Sequence, residues 1–294
     1  MILIDPAVWP AHGTVFSHLV SDASLTELHA FAKAADLPSR AFDHDHYDVP
    51  LERYADLVVR GALEVPASVL IRRLTASGLR VRTPQRTPKR RQALKTVDDS
   101  WAALLPEHAA LGRELVERWS EDHRHYHDVR HLHQVLVSLD SLHNHAEVPR
   151  TVRLAAWFHD AVYQGRPDDE ENSAQLAESL LGRILPPADV DEVARLVRLT
   201  TGHSPHPDDV PGAQLVDADL SILGTNPGRY HVYVRDVRAD YAHLDDDLWR
   251  VGRVQVLDHL LGLEPLFHTD LGRREWAPQA AVNLAAERER WNAG

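Results

Sequence analysis

With 294 residues the chain is long enough for about two domains, and at 44% hydrophobic and 26% charged residues its composition is that of an ordinary globular protein. A net charge of −12 argues against non-specific binding to nucleic acid, which depends on neutralising phosphates, so no nucleic-acid partner is expected. Cysteine is absent, which excludes disulfides, thiolate ligands and a Cys nucleophile; any metal must be held by His, Asp, Glu and water.

The first 83 residues read as a small α/β domain. Ile2-Leu3-Ile4 is a short apolar strand ending on Asp5-Pro6. The opening residues lack the basic and apolar regions of a signal peptide, and no apolar run reaches the roughly 18 residues of a membrane span. A cytoplasmic protein without membrane contact is therefore expected. Ser24 or Asp22 can cap a helix from Leu25 to Leu37, ended by Pro38. His46 to Pro50 is extended, Pro50 opens a helix from Leu51 to Arg60, and Gly61 closes it. Val65 is a short strand, Ser68 to Ser77 a third helix, and Leu79 to Arg82 an alternating final strand. Residues 84–96 form a basic linker around Pro84 and Pro88; its charges read as solvated rather than as a phosphate-binding patch.

From residue 97 to 294 the pattern is all-helical. Helices are expected over 99–105, 107–121, 129–144, 149–163, 170–184, 188–201, 213–223, 227–243, 246–262 and 273–291. The overall expectation is an α+β two-domain chain, a small α/β domain followed by an all-α domain.

The stretch that organises this helical region is Trp157-Phe158-His159-Asp160, a polar doublet inside an apolar run. Such a doublet is costly in a core unless something satisfies it, and a metal ion would satisfy both side chains. Three other places offer ligands: His127 and His131, four apart and on one face if their helix starts early enough; His203 after Gly202; and Asp217-Ala218-Asp219. His131, His159, Asp160 and one acid of Asp217 or Asp219 make a His-His-Asp-Asp set. That set suits Mn, Fe, Co, Ni or Zn, with Mg a further candidate and one or two ions to be held.

Glu170 and Glu171 follow the doublet; either supplies a general base or simply an acidic first helical turn favoured by the helix dipole. His203 reads equally as a second-metal ligand, a phosphate contact or a dipole-favoured helix-end histidine, and His127 as a neighbour of the ligand set. Arg253 has the fork geometry for phosphate, or a surface salt bridge. At the other end of the chain Asp5, His18, Asp22, His46 and Asp48 offer a small acid–histidine group, with a sensing or partner-binding module as the plainer reading.

The order His131 … His159-Asp160 … Asp219 resembles the HD superfamily of metal-dependent phosphohydrolases. The fuller pattern resembles one branch, the predicted HD-superfamily metal-dependent hydrolases: Tyr126-His127, Ala156 to Tyr163, Glu170 with Ser173, Thr200-x-x-His203, Asp217-Ala218-Asp219-Leu220 and Gly252-Arg253. The resemblance covers about residues 98–291 and favours Asp219 over Asp217 as the fourth ligand. It implies an all-helical HD-type domain that hydrolyses a small-molecule phosphate ester, a nucleotide or related metabolite, by metal-activated water. Catalytic roles then fall to Asp160, Glu170 and His203, and substrate contacts to Arg253 and His127. A di-iron oxygenase on the same scaffold and a nucleotide-sensing protein stand as alternatives, and a homodimer as the assembly to test. Residues 1–83 look like a short bacterial domain of unknown function labelled DUF4031, on Asp5, Trp9-Pro10, His12-Gly13, Ser17-His18-Leu19, Asp22, Leu28 to Phe31 and His46-Tyr47-Asp48.

Overall fold

The computed structural model describes residues 1–143 and 148–292, and the chain divides into two compact units: 1–86 together with 226–232, and 87–225 together with 233–294. Asn144, the expected end of one helix, lies outside the described residues, as do residues 293 and 294 of the expected helical domain.

The first unit is built on a six-stranded sheet. Its strands are β1 (Ile2–Ile4), β2 (Trp9–Ala11), β3 (Thr14–Ser21), β4 (Phe42–Asp43), β5 (His46–Pro50) and β6 (Leu63–Glu64), in the order β4-β5-β3-β1-β6, with β2 on β3. β1 and β6 pair in parallel; the other pairs are antiparallel. Period-2 alternation sorts the side chains. Ile2, Ile4, Leu19, Tyr47 and Val49 join Leu28 and Ala32 of α1 (Leu25–Ala34) and Leu57 of α2 (Leu51–Val59) in one core. Leu3 and Val20 meet Leu70 and Leu74 of α3 (Ala67–Ala76) in the other. Both faces of β1 are thus covered, which is why it reads as an unbroken apolar run. Ser24 caps α1 through its hydroxyl, which accepts from the Glu27 N–H at 3.1 Å.

Two expectations change here. Leu79 to Arg82 forms no strand, because this segment is tied down differently: the Val81 N–H donates to Asp45 Oδ2 at 2.7 Å. The strand expected at Val65 lies one step earlier, at Leu63–Glu64.

In the second unit the expected linker shortens, because α4 (Arg90–Leu104) begins inside it; Ala93, Val97 and Trp101 recur every four residues and are buried. Then follow α5 (Ala109–Arg118), α6 (Val129–Leu142), α7 (Arg150–Phe158), α8 (Asp169–Leu181), α9 (Pro187–Leu199), α10 (Val210–Leu220), α11 (Pro227–Asp240, which belongs to this unit from Tyr233 on), α12 (Asp246–Gly262) and α13 (Ala277–Asn292). The last is preceded by a π-turn at Gly272–Trp276. One apolar core joins α4, α6, α7, α9 and α10, with Leu132 and Leu136, Trp157 and Phe158, Val193 and Val197, and Leu215 and Ala218 at its centre. Among the described residues no helix is long and apolar enough to cross a membrane.

Candidate metal centre

Four side chains converge where three helices end or begin. His131 stands in the first turn of α6, whose start is fixed by Asp128 accepting from the Arg130 N–H at 2.8 Å. His159 caps the C-terminus of α7 and Asp160 follows it; Asp219 lies in the last turn of α10. Two of the three contributing ends are helix C-termini, whose carbonyl partial charges favour a cation.

The distances are short. His131 Nε2 lies 3.1 Å from His159 Nε2 and 3.0 Å from Asp219 Oδ1. Asp160 Oδ2 is 3.4 Å from His159 Nε2 and 3.7 Å from His131 Nε2, and Asp219 Oδ1 is 3.5 Å from His159 Nε2. Ligands held at about 2.0–2.1 Å from one ion stand about 3 Å from their neighbours, so this is the spacing of a coordination shell. His159 Nδ1 bonds the Ala156 carbonyl at 2.9 Å, so that nitrogen carries hydrogen and Nε2 is left for an ion. His131 Nδ1 is buried without a hydrogen-bond partner among the described residues.

The electrostatics ask for positive charge. Burial pushes the His131 imidazole down. Burial opposes charge on His159 too, yet Asp160 and then Asp219 outweigh it and hold its pKa up at about 9. Asp219 is mostly buried, which works against ionisation, but His159, His131 and His203 keep it well below the usual carboxylate range. Two facing imidazoles between two carboxylates are a donor set that a divalent transition metal fits.

The same carboxylate reaches a fifth residue: His203 Nε2 lies 3.1 Å from Asp219 Oδ2. His203 follows α9 with φ 49°, a left-handed conformation uncommon outside glycine. Asp217 is not part of the cluster. It accepts from the backbone N–H groups of His268 and Thr269 at 2.8 and 2.7 Å and from the Thr269 hydroxyl at 2.6 Å. Positions two apart on a helix point about 200° away from each other, so one acid of this pair faces the site and the other a loop.

A cavity of about 600 Å³ opens on the cluster, lined by His131, Asp160, His203 and Asp219, by Glu170, and by the aromatic side chains Tyr126, Tyr233, Tyr241 and Trp249. Glu170 sits in the first turn of α8; burial, then the charges of Asp160 and Asp169, raise its pKa. Glu171 instead pairs outside with Arg198. Ser173 holds α8 to the segment after the doublet, accepting from the Val162 N–H at 3.0 Å. His127 also lines the cavity, but α6 starts too late for it to share a helix with His131: its Nδ1 pairs with Asp240 at 2.7 Å and its ring stacks on Tyr163. Arg253 is on the cavity wall with its guanidinium turned to buried Glu287, at 2.8 and 2.9 Å, and to the Tyr233 hydroxyl at 3.1 Å.

Two positioning residues have no signal in the sequence. Arg124 is buried beneath the site and donates to the carbonyls of His127 at 3.0 Å, Asp160 at 2.7 Å and Ala161 at 3.3 Å, tying two site-bearing segments together. Asp240, also buried at its side chain, accepts from the N–H groups of Tyr126 and His127 as well as from His127 Nδ1.

In the first unit, His18, His46 and Asp48 each offer a ligand atom within 4.8 Å of the others, a second group able to hold a metal among the described residues. Asp5 contacts His18, whereas Asp22 stands apart, pairing with Arg73 and the Met1 amino group.

Comparison with known proteins gives a family for this first unit alone: residues 2–77 match a family model described as a protein of unknown function, DUF4031. Neither the curated proteins nor the solved structures yield a match to the chain.

Proposed function

We propose that the helical unit is an HD-type metal-dependent phosphohydrolase acting on a nucleotide or a related small phosphate ester. The observation that carries this reading is the convergence of His131, His159, Asp160 and Asp219 at one end of a cavity large enough for a small metabolite. These four residues would hold the ion, which when bound supplies an easily ionised water and neutralises charge on the phosphoryl oxygens. Glu170, kept proton-hungry by burial, accepts or relays the proton of the attacking water. His203, fixed by Asp219, stands ready to protonate the leaving oxygen. Tyr126, Tyr233, Tyr241 and Trp249 give the non-phosphate part of the substrate an aromatic wall.

Elemental analysis of the purified chain beside His159→Ala, followed by a phosphate-release screen over nucleotides with the metal found, tests the reading. A transition metal lost in the variant, with metal-dependent release, supports it; no metal taken up by either protein defeats it. A second reading draws on Asp219, whose two oxygens face different histidines and would suit two ions. Two irons per chain, oxygen uptake and no phosphate release would establish the di-iron oxygenase instead. Binding of a nucleotide without turnover in metal-replete protein would mark a sensor.

A further inference from the structure

The strands of the first unit bring two histidines and a carboxylate to one face of the sheet. His18 on β3 is directly opposite Asp48 on β5, and His46 is two residues before Asp48 on the same strand. Residues opposite one another, and residues two apart, share a face, so all three point the same way. Neighbouring Leu19 and Tyr47 point to the apolar core on the other side. Register therefore fixes the trio.

Each imidazole is held by a carboxylate of its own. His18 Nδ1 lies 3.0 Å from Asp5 Oδ2, and the other Asp5 oxygen accepts from the His18 N–H at 2.6 Å. His46 Nδ1 lies 2.7 Å from Asp45 Oδ1. Asp45 is fully buried and is itself fixed by the Val81 N–H and by Arg80 at 3.0 Å. A carboxylate on Nδ1 sets the tautomer: hydrogen sits on Nδ1 and the lone pair on Nε2. His46 Nε2 looks toward Asp48 Oδ1 at 3.5 Å, and the two rings meet edge to face with centroids 4.9 Å apart. A carboxylate on Nδ1 is one of the partners that commonly orient a metal-ligating histidine, and here each of two neighbouring histidines has its own.

We propose that His18, His46 and Asp48 form a second metal site, separate from the helical centre, that takes a divalent transition ion of the zinc class. Two imidazoles and one carboxylate select such ions over Mg²⁺ and Ca²⁺, which prefer oxygen. His46 is nearly buried, while His18 and Asp48 are 28% and 48% exposed, so the ion has a closed side and an open side. Three protein ligands with a remaining open position form the pattern of sites that bind a further small ligand or water.

The test uses the full chain with its helical centre disabled by Asp160→Asn and Asp219→Asn, substitutions that keep side-chain size. Co²⁺ is titrated by calorimetry and by visible absorption. One Co²⁺ per chain should remain, and its affinity should fall at least about 100-fold on adding His18→Ala and likewise on adding Asp48→Asn. Both of those positions are partly exposed, and circular dichroism and thermal unfolding check that each variant is folded. Asp5→Asn keeps all three ligands and should weaken binding about 10- to 100-fold by releasing the His18 ring. The proposal is overturned if no ion remains once the helical centre is disabled, or if the remaining ion is indifferent to both His18→Ala and Asp48→Asn.

Discussion

The helical centre and the sheet cluster use the same side chains and assemble them by opposite means. In the helical centre the candidate ligands come from the ends of α6, α7 and α10, and only the packing of those helices brings His131 within 3.1 Å of His159. In the sheet cluster two neighbouring strands supply the trio, and backbone register places it before any side chain packs. Orientation differs as well. His159 is steered by a backbone carbonyl of its own helix, whereas His18 and His46 each lean on a carboxylate. A centre made by packing should fail when packing is weakened; one made by register should not.

The largest expected effect breaks one centre and spares the other. His159→Ala or Asp219→Asn should lower metal-dependent phosphate release on the order of 10³-fold or more, the scale on which a lost charge-stabilising group acts. Metal uptake by His18, His46 and Asp48 should be unchanged, so total metal should drop without reaching zero. A chain emptied of both ions by either substitution would show that the two clusters are not independent.

A second contrast comes from the cavity wall. Arg253 and Glu287 are both buried and paired through two bonds. Glu287→Gln removes the carboxylate charge that pairs with the buried Arg253 guanidinium and should cost about 3–5 kcal/mol of stability. Denaturant unfolding followed by tryptophan fluorescence measures this. The double variant Arg253→Met, Glu287→Met should recover most of the loss, because neither member of the pair is then left without the other. If metal affinity falls in the helical centre and holds in the sheet cluster, packing is what assembles the former.

Asp240 sharpens the comparison more finely. It anchors the segment before α6 through backbone N–H groups and His127. Asp240→Asn should cost about 1–3 kcal/mol by weakening these bonds. Metal content should stay at the native level while kcat/KM for phosphate release falls about 10-fold, as expected of a group that positions the cavity wall rather than the ion.

How much of this could be read in the sequence follows the same division. His159, Asp160 and Asp219 stand out because each is a polar residue in an apolar run, where a buried charge needs a reason, whereas His131 stands out only as one of a cluster of histidines four residues from His127. Asp217 carries the same local signal, and only the distant His268 and Thr269 distinguish it. Arg124 and Asp240 act through carbonyls and N–H groups that any sequence supplies, so no residue type marks them. β3 is hidden for another reason: both of its faces are occupied, one by core and the other partly by His18, so the alternation of a half-exposed strand is blurred. The start of α4 at Arg90 was masked by charge density, although Ala93 and Val97 already have helical spacing.

The smallest expected effect concerns the acid stability of the sheet unit. Asp43 pairs with His44 and accepts from Arg86 Nη1 at 2.8 Å, and the hydrogen bond to His44, outweighing partial burial, holds its pKa down to about 2. A carboxyl depressed in the folded state stabilises the fold above its ordinary pKa near 3.8; that contribution fades as pH falls from about 4 toward 2. The side chain is 43% exposed, so solvent screening limits the effect to about 0.5–1 kcal/mol. Asp43→Asn should therefore lower stability at pH 7 by that amount and flatten the decline between pH 4 and 2, as read from urea midpoints across that range. Asp43 is the cross-strand partner of His46, so a change in metal uptake by the sheet cluster with this substitution would mean that the setting of the His46 ring, and not only the acid–base pairing, had been disturbed.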